Sequence, residues 1–468
     1  MDENKNGLSS WDLVMLALGT VVGGSFFLGS AVAIRAAGPA IIISFTLGGI
    51  LVYFILTALS EMTVADPTTG SFRDYAEKAY GPWLGFIVGW VYWTGLSLSM
   101  SSEATAAAIF LRVWLEGIPL GLIAIIIVVA VTLLNLVGAR LFSRLENSLA
   151  GIKLLAVVGF IVVGAALVAG LFPGRAAVGF GALTEELLFP GGIGGIAGSM
   201  LIVMFTYAGF EVVGLAAPEA RNPQSTVPRA VLYTTLALVG LYLVSMSVLL
   251  VLTPTGILST SESPLVTALS TRGLGFVTSF FNIIMISAII STMLAATFGM
   301  GRMIFALALE GHAPAWLKIE GRSPVPLRGI LFSGGAMLAG VSLSYILPRS
   351  VYLFLVSSGG FALLFAYLVI VISHYRHRKV YGCPPRGQCQ VPRYPYTSWV
   401  VMVAVVAIIA SMPLIPGQAA GLQAGLALVA FYALSYLVFK VWRPFVAFRR
   451  FFGMPAYKVP DGRHKRDE

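Results

Sequence analysis

Glu103, Lys153, Glu211 and Arg302 are charged side chains set within long apolar stretches of this sequence. A lysine at the centre of a bilayer costs roughly 2.5–3.5 kcal/mol on insertion scales, and intramembrane charges usually serve ions, protons or substrates. Lys153 sits in Gly151-Ile152-Lys153-Leu154-Leu155, near the start of the fifth apolar stretch. Two readings are open for it: a buried ammonium that gains and loses a proton as its exposure changes, or an ammonium that reaches the interface along its own stem. Buried carboxylates are neutral or paired, so Glu103 and Glu211 are expected to join helices, face a cavity or carry protons. Arg302 lies near the end of the eighth stretch and reads as an anchor or gate.

Two segments could bind a substrate through freed backbone groups. The first apolar stretch contains Gly19-Thr20-Val21-Val22-Gly23-Gly24-Ser25, and the sixth contains Phe205-Thr206-Tyr207-Ala208-Gly209-Phe210-Glu211. Each glycine costs a helix interior about 1 kcal/mol relative to alanine. Clustered glycines at mid-span mean either close helix packing or an unwound segment, tolerable only where protein or a wet cavity satisfies the freed backbone. Two such segments, five stretches apart, favour unwinding at a midplane site between repeated halves. Free amides with a positive dipole end at Gly23, Gly24 and Ser25 suit a carboxylate. Free carbonyls at Val21, Val22, Phe205 and Ala208 suit an ammonium. Phe205 is also a candidate aromatic gate, Thr206 a candidate hydrogen-bonding group, and Gly24, Ala208 and Gly209 leave room for a side chain.

The elements that must position these residues are apolar helices. The chain has 468 residues, 58% hydrophobic and 11% charged, against roughly 25% charged in soluble domains. Runs long enough to span a bilayer occur at about 11–34, 40–62, 83–107, 119–139, 148–172, 197–216, 228–253, 275–305, 327–347, 351–373, 398–415 and 420–442. They are too long and continuous for barrel strands, so the expected fold class is an all-α membrane protein with twelve transmembrane helices. The first run is too long for a cleaved leader and lacks a small-residue cleavage site. With the N-terminus placed inside, 23 of the 30 Lys and Arg residues fall on inner segments and 5 on outer ones. That asymmetry puts both termini in the cytoplasm. It also assigns the +10 net charge to topology rather than to nucleic acid.

The expected organisation is a cytoplasmic N-terminus (1–10), a first five-helix unit (11–173), an extracellular lid or re-entrant segment (174–196), and a second five-helix unit (197–373). A cytoplasmic loop (374–397), two further helices (398–442) and a basic tail (443–468) follow. Ser71-Phe72-Arg73-Asp74-Tyr75-Ala76 is a polar, aromatic stretch suited to the inner interface. Cys383 and Cys389, with Pro384, Pro385 and Gly387 between them, are expected to be free thiols. No histidine or cysteine grouping suggests a metal or a cofactor.

Several motifs together resemble the amino acid permeases of the amino acid–polyamine–organocation superfamily, nearest to proton-coupled bacterial and archaeal members. They are the first glycine segment; Ser60-Glu61-Met62 with Gly70-Ser71-Phe72, Tyr75-Ala76, Gly81-Pro82 and Gly89-Trp90; and Glu219-Ala220-Arg221-Asn222-Pro223 with Val227-Pro228-Arg229-Ala230. Arg302, Ala306, Gly311 and Pro314, and then Ser373-His374-Tyr375-Arg376, continue the match. The resemblance covers nearly the whole chain. It implies a leucine-transporter-like 5+5 inverted repeat with two peripheral helices. It also implies that Lys153 occupies the place of sodium in sodium-coupled relatives, bonding a carbonyl near Gly19 and a helix-8 hydroxyl such as Ser291. Many members read Gly-(Ser/Thr)-Gly at the first break. Here Gly23-Gly24-Ser25 keeps the backbone donors and moves the hydroxyl by one position.

The function expected is uptake of a neutral L-amino acid with protons across the plasma membrane. The alternatives are an amino acid or amine exchanger and, further off, a membrane sensor. An enzyme would need a nucleophile, metal or acid–base constellation, and a channel would need a filter repeat; neither is visible. Oligomeric state is left open.

Overall fold

The computed structural model describes residues 7–66, 68, 71–136, 139–172, 176–275, 278–319, 326–346, 351–383 and 389–451. Gly70, Pro384, Pro385, Gly387 and the tail beyond 451 lie outside the described residues. So do the inner charges Lys5, Arg322 and Arg386 and the outer Arg175 and Arg349.

Among the described residues the chain is helical, with one isolated bridge between Leu8 and Ala220. Ten helical segments are long and apolar enough to cross a bilayer, and Ser10–Val21 and Leu120–Leu136 are shorter apolar helices. Ser9 starts α1 (Ser10–Val21) through a capping box, accepting from the Asp12 amide while Asp12 accepts from the Ser9 amide at 2.8 Å. This arrangement satisfies two of the orphan donors of a first turn. Val22 then turns extended (ψ 106°), and a π-helical turn, Ser25–Gly29, leads into α2 (Ser30–Ala37). A second interruption separates α8 (Gly192–Tyr207) from α9 (Val212–Ala216).

The unbroken long helices are α3 (Ile41–Ala65), α5 (Pro82–Leu111), α6 (Leu120–Leu136), α7 (Ala139–Val168), α10 (Pro223–Leu252), α12 (Thr278–Leu309), α13 (Leu327–Ser342) and α14 (Val351–Tyr381). The short α11 (Pro264–Ser270), then α15 (Tyr396–Ser411) and α16 (Gln418–Phe451), complete the set. Packing partners come in matched pairs: α5 on α14 and α12 on α7; α3 on α8 and α10 on α1; α5 on α6 and α12 on α13; α13 on α5 and α6 on α12. The most apolar window of α14 is 83% buried and that of α16 only 11%. The last helix therefore leaves Leu426, Phe431, Leu434, Leu437 and Val438 on the outside, as a lipid-facing element would.

Three expectations are modified. The fifth helix begins at Ala139, not near 148, so Lys153 is well inside it. The segment 174–196 holds a 3-10 turn at Gly181–Thr184 and the first turn of α8, with no re-entrant helix among its described residues. Cys383 and Cys389 are joined as a disulfide rather than free; their Cα atoms lie 5.3 Å apart, within bridging reach.

Short amphipathic α4 (Phe72–Tyr80) buries Phe72, Arg73, Tyr75 and Ala76. Its Arg73 pairs with Glu310 at the end of α12 and with Asp74. Burial works against the guanidinium's charge, but the Glu310 and Asp74 carboxylates outweigh it and raise its pKa above the usual value. A second tie holds the end of α14. Glu61 of α3 bonds His374 at 2.6 Å, accepts from Arg378 at 3.4 Å, and takes the amides of Gln390 and Val391.

Candidate functional site

The two helix breaks meet. Thr20 Oγ1 of α1 donates to the carbonyl of Gly209 at 3.1 Å. Gly209 has φ +105°, and a Cβ there would lie 3.1 Å from the Thr20 carbonyl oxygen. Only glycine meets both demands without strain. Leu8, just before α1, bonds both Glu219 and Arg221 after α9.

At the first break, the amides of Phe26 and Phe27 turn back to the Gly23 carbonyl. The amides just ahead of them face a side chain from another helix. Gly24 N donates to Glu103 Oε2 at 2.6 Å and Ser25 N to Glu103 Oε1 at 3.1 Å. Glu103 comes from α5 and is 3% exposed. The carboxylate is thus gripped as a fork by two adjacent backbone donors at the start of a helical segment, the geometry that favours an anion. On the other side of the break, Tyr352 of α14 reaches the Gly24 carbonyl at 3.4 Å. Tyr242 of α10 stacks on Phe26 at 4.6 Å and donates to the Thr206 carbonyl at 3.1 Å.

Lys153 has no exposed surface, which removes the reading in which it reaches the interface. Its Nζ donates to the Gly19 carbonyl and to Thr292 Oγ1 of α12 at 3.2 Å. Thr292 Oγ1 also reaches the Val22 carbonyl at 3.2 Å. The helix-8 hydroxyl is therefore Thr292 and not Ser291, whose Oγ is buried without a partner.

Glu211 closes the second break. It accepts from Tyr92 of α5 at 2.7 Å, from Tyr367 of α14 at 3.2 Å and from the Gly209 amide at 3.0 Å. Three donors on one carboxylate make it a junction of α5, α14 and the break. Thr206 spends its hydroxyl on the Ile202 carbonyl at 2.8 Å, within its own helix. Phe205 is buried near Gly360 of α14, while Ala208 and Gly209 keep partial exposure. Val21 and Val22 are buried at the end of α1. Arg302 is exposed on α12, away from both breaks.

The structure thus brings Gly19 to Ser25, Glu103, Lys153 and the 205–211 segment into one buried cluster. Sequence reasoning missed Tyr92, Tyr242, Thr292, Tyr352 and Tyr367. Their hydroxyls lie on helices whose facing sides carry no periodic signal, because the helices are apolar all round. Elsewhere, Glu77, Glu310 and His312 bring ligand atoms within 4.8 Å of one another, but both Arg73 Nη atoms already bond Glu310.

A family model described as "Amino acid permease" matches residues 12–450. The chain is 31% identical over 439 residues to the Gamma-aminobutyric acid permease of Bacillus subtilis, covering 93% of this chain and 94% of that one. It is 31% identical to the Aromatic amino acid transport protein AroP of Escherichia coli over 423 residues, 89% and 92% of the two chains. Among solved structures it is similar to a manganese transporter mutant of Eremococcus coleocola, with TM-score 0.54, 16% identity, and 96% and 97% coverage.

Proposed function

This chain belongs to the amino acid permease family, and on that premise we propose that it takes up a neutral L-amino acid together with protons by alternating access. Transport of an amino acid through a multi-pass membrane protein follows from the family. The proton, the neutral substrate and the mechanism are the proposal. The observation that carries it is the meeting of two helix breaks, with amides of Gly24 and Ser25 that grip a carboxylate. A substrate carboxylate would bind Gly23, Gly24 and Ser25, and its ammonium the carbonyls of Val21, Val22, Phe205 and Ala208. The substrate's side chain would lie beside the partly exposed Ala208 and Gly209.

Twelve spans arranged as two inverted five-helix repeats fit this reading. Exchanging helices of the first five for their counterparts in the second carries several packing pairs onto others: α5 on α14 becomes α12 on α7, and α3 on α8 becomes α10 on α1. A midplane site between such repeats is the general transporter arrangement. The relatives' names, a Gamma-aminobutyric acid permease and an Aromatic amino acid transport protein, support a substrate without net charge.

Lys153 is the proposed coupling group, because its ammonium ties the end of α1 to Thr292 on α12. Loss of its proton would remove the positive charge and one of its three donors, weakening that bridge so that α1 could move. Lys153→Ala in proteoliposomes is expected to abolish uptake driven by an imposed pH gradient. Undiminished gradient-driven uptake would exclude Lys153 as the coupling group. Counterflow measured without a gradient separates this outcome from general loss of binding.

A further inference from the structure

Glu103 holds the two amides that the proposed function assigns to the substrate's carboxylate. Its two oxygens take Gly24 N and Ser25 N at 2.6 and 3.1 Å, the fork that one carboxylate group makes. The space is filled as well as the donors. A Cβ placed on Gly24 would lie 2.8 Å from Glu103 Oε2, 3.1 Å from the Ala106 methyl and 3.2 Å from Ile289. A second carboxylate fits there only when Glu103 has left.

We propose that Glu103 is a built-in stand-in for the substrate's carboxylate: it occupies the anion site of the empty carrier, and substrate displaces it as the protonated acid. This rests on the transport reading above and adds the residue that links substrate to proton in the binding step. The exchange balances. One carboxylate replaces another on the two amides, and Glu103 takes one proton from solution as it withdraws. A displaced, ionised Glu103 would be a buried charge stripped of its hydrogen bonds, a state proteins avoid. The titratable side chains that face it are Lys153 of α7, Tyr242 of α10 and Tyr352 of α14. The lysine ammonium is committed to Gly19 and Thr292, so it remains a bridge for the conformational step while Glu103 governs the binding step. The stand-in also gives the empty carrier a satisfied anion site, so the break need not collapse or admit other anions between turnovers.

The test is equilibrium binding to purified protein in detergent between pH 5 and 8. A thermal-shift screen of the twenty L-amino acids and 4-aminobutanoate selects the strongest stabiliser as probe. If none binds, the transport reading falls and this inference with it. With a probe in hand, the bound state holds one more proton than the empty one. Affinity must therefore weaken as pH rises, by up to about tenfold per pH unit. The carboxamide of the same amino acid has no carboxylate to displace Glu103, so its profile in the unaltered protein is expected to be flat. In Glu103→Gln the probe's own profile is expected to flatten, with binding at pH 8 at least as tight as in the unaltered protein. A flat profile for the probe in the unaltered protein overturns the inference. So does a steep profile kept by the carboxamide or by Glu103→Gln. The carboxamide arm needs no variant, so the inference stays testable if Glu103→Gln folds poorly.

Discussion

Thr292 and Ser291 are neighbours in sequence and opposites in environment. Thr292 Oγ1 meets Lys153 and the Val22 carbonyl, while Ser291 Oγ is buried with no partner. Thr292→Val is therefore expected to lower proton-driven uptake severely and to cost about 1–3 kcal/mol for the groups left unpaired. Ser291→Ala should be close to neutral in both uptake and thermal stability; a reversed pattern would mean that the bridge is built differently. Gly209→Ala asks a β-carbon to sit at φ +105° beside the Thr20 carbonyl. Its expected cost is roughly 1–3 kcal/mol, read as a lowered unfolding temperature and slowed uptake. At this scale the sequence was informative about backbone and poor about side chains. Clustered glycines advertise a break directly. By contrast, consecutive helical residues point about 100° apart, so a one-residue uncertainty about α12 sends the hydroxyl to a different neighbour.

The helices were legible where lipid dictates composition and illegible beyond it. Hydropathy located the apolar part of α7 but not its first turns, where Arg140, Arg144 and Glu146 interrupt the pattern. Amphipathic α4 is too short and polar to register as a span, and was visible only as an aromatic-polar stretch suited to an interface. The Glu61 tie was equally hidden, because it joins residues more than 300 positions apart. The Ser60-Glu61-Met62 and Ser373-His374-Tyr375-Arg376 motifs each contribute one half of it. Glu61→Ala would leave His374 and the amides of Gln390 and Val391 without their acceptor. Breaking a buried pair in this way costs about 3–5 kcal/mol. The expected result is a marked fall in unfolding temperature of the purified protein, with Glu61→Gln intermediate. An unchanged unfolding temperature in Glu61→Ala would show that the tie contributes nothing to stability.

For the whole molecule, the charge asymmetry makes a topological prediction that packing does not. Reporter fusions should be active on the outer side when joined after Leu171 and on the inner side when joined after Tyr381. The opposite pattern would invert the proposed orientation of every loop. Neither α15 nor α16 contributes a side chain to the contacts described at the breaks, so their removal should leave those contacts in place.

Leu8 has one further consequence. Its two backbone bonds to Glu219 and Arg221, with the Ser10 hydroxyl on the Thr226 carbonyl at 3.2 Å, fasten the segment before the first break to the segment after the second. α1 and α9 also pack on each other. Two short helices, one beside each break, are in this way tied into a single unit. If the proposed transport cycle moves either one, these bonds favour moving both together. On the proposed mechanism, partly opened conformers, through which ions could slip without cargo, would have to break these main-chain bonds at the edge of the molecule, whatever the chemistry at its centre.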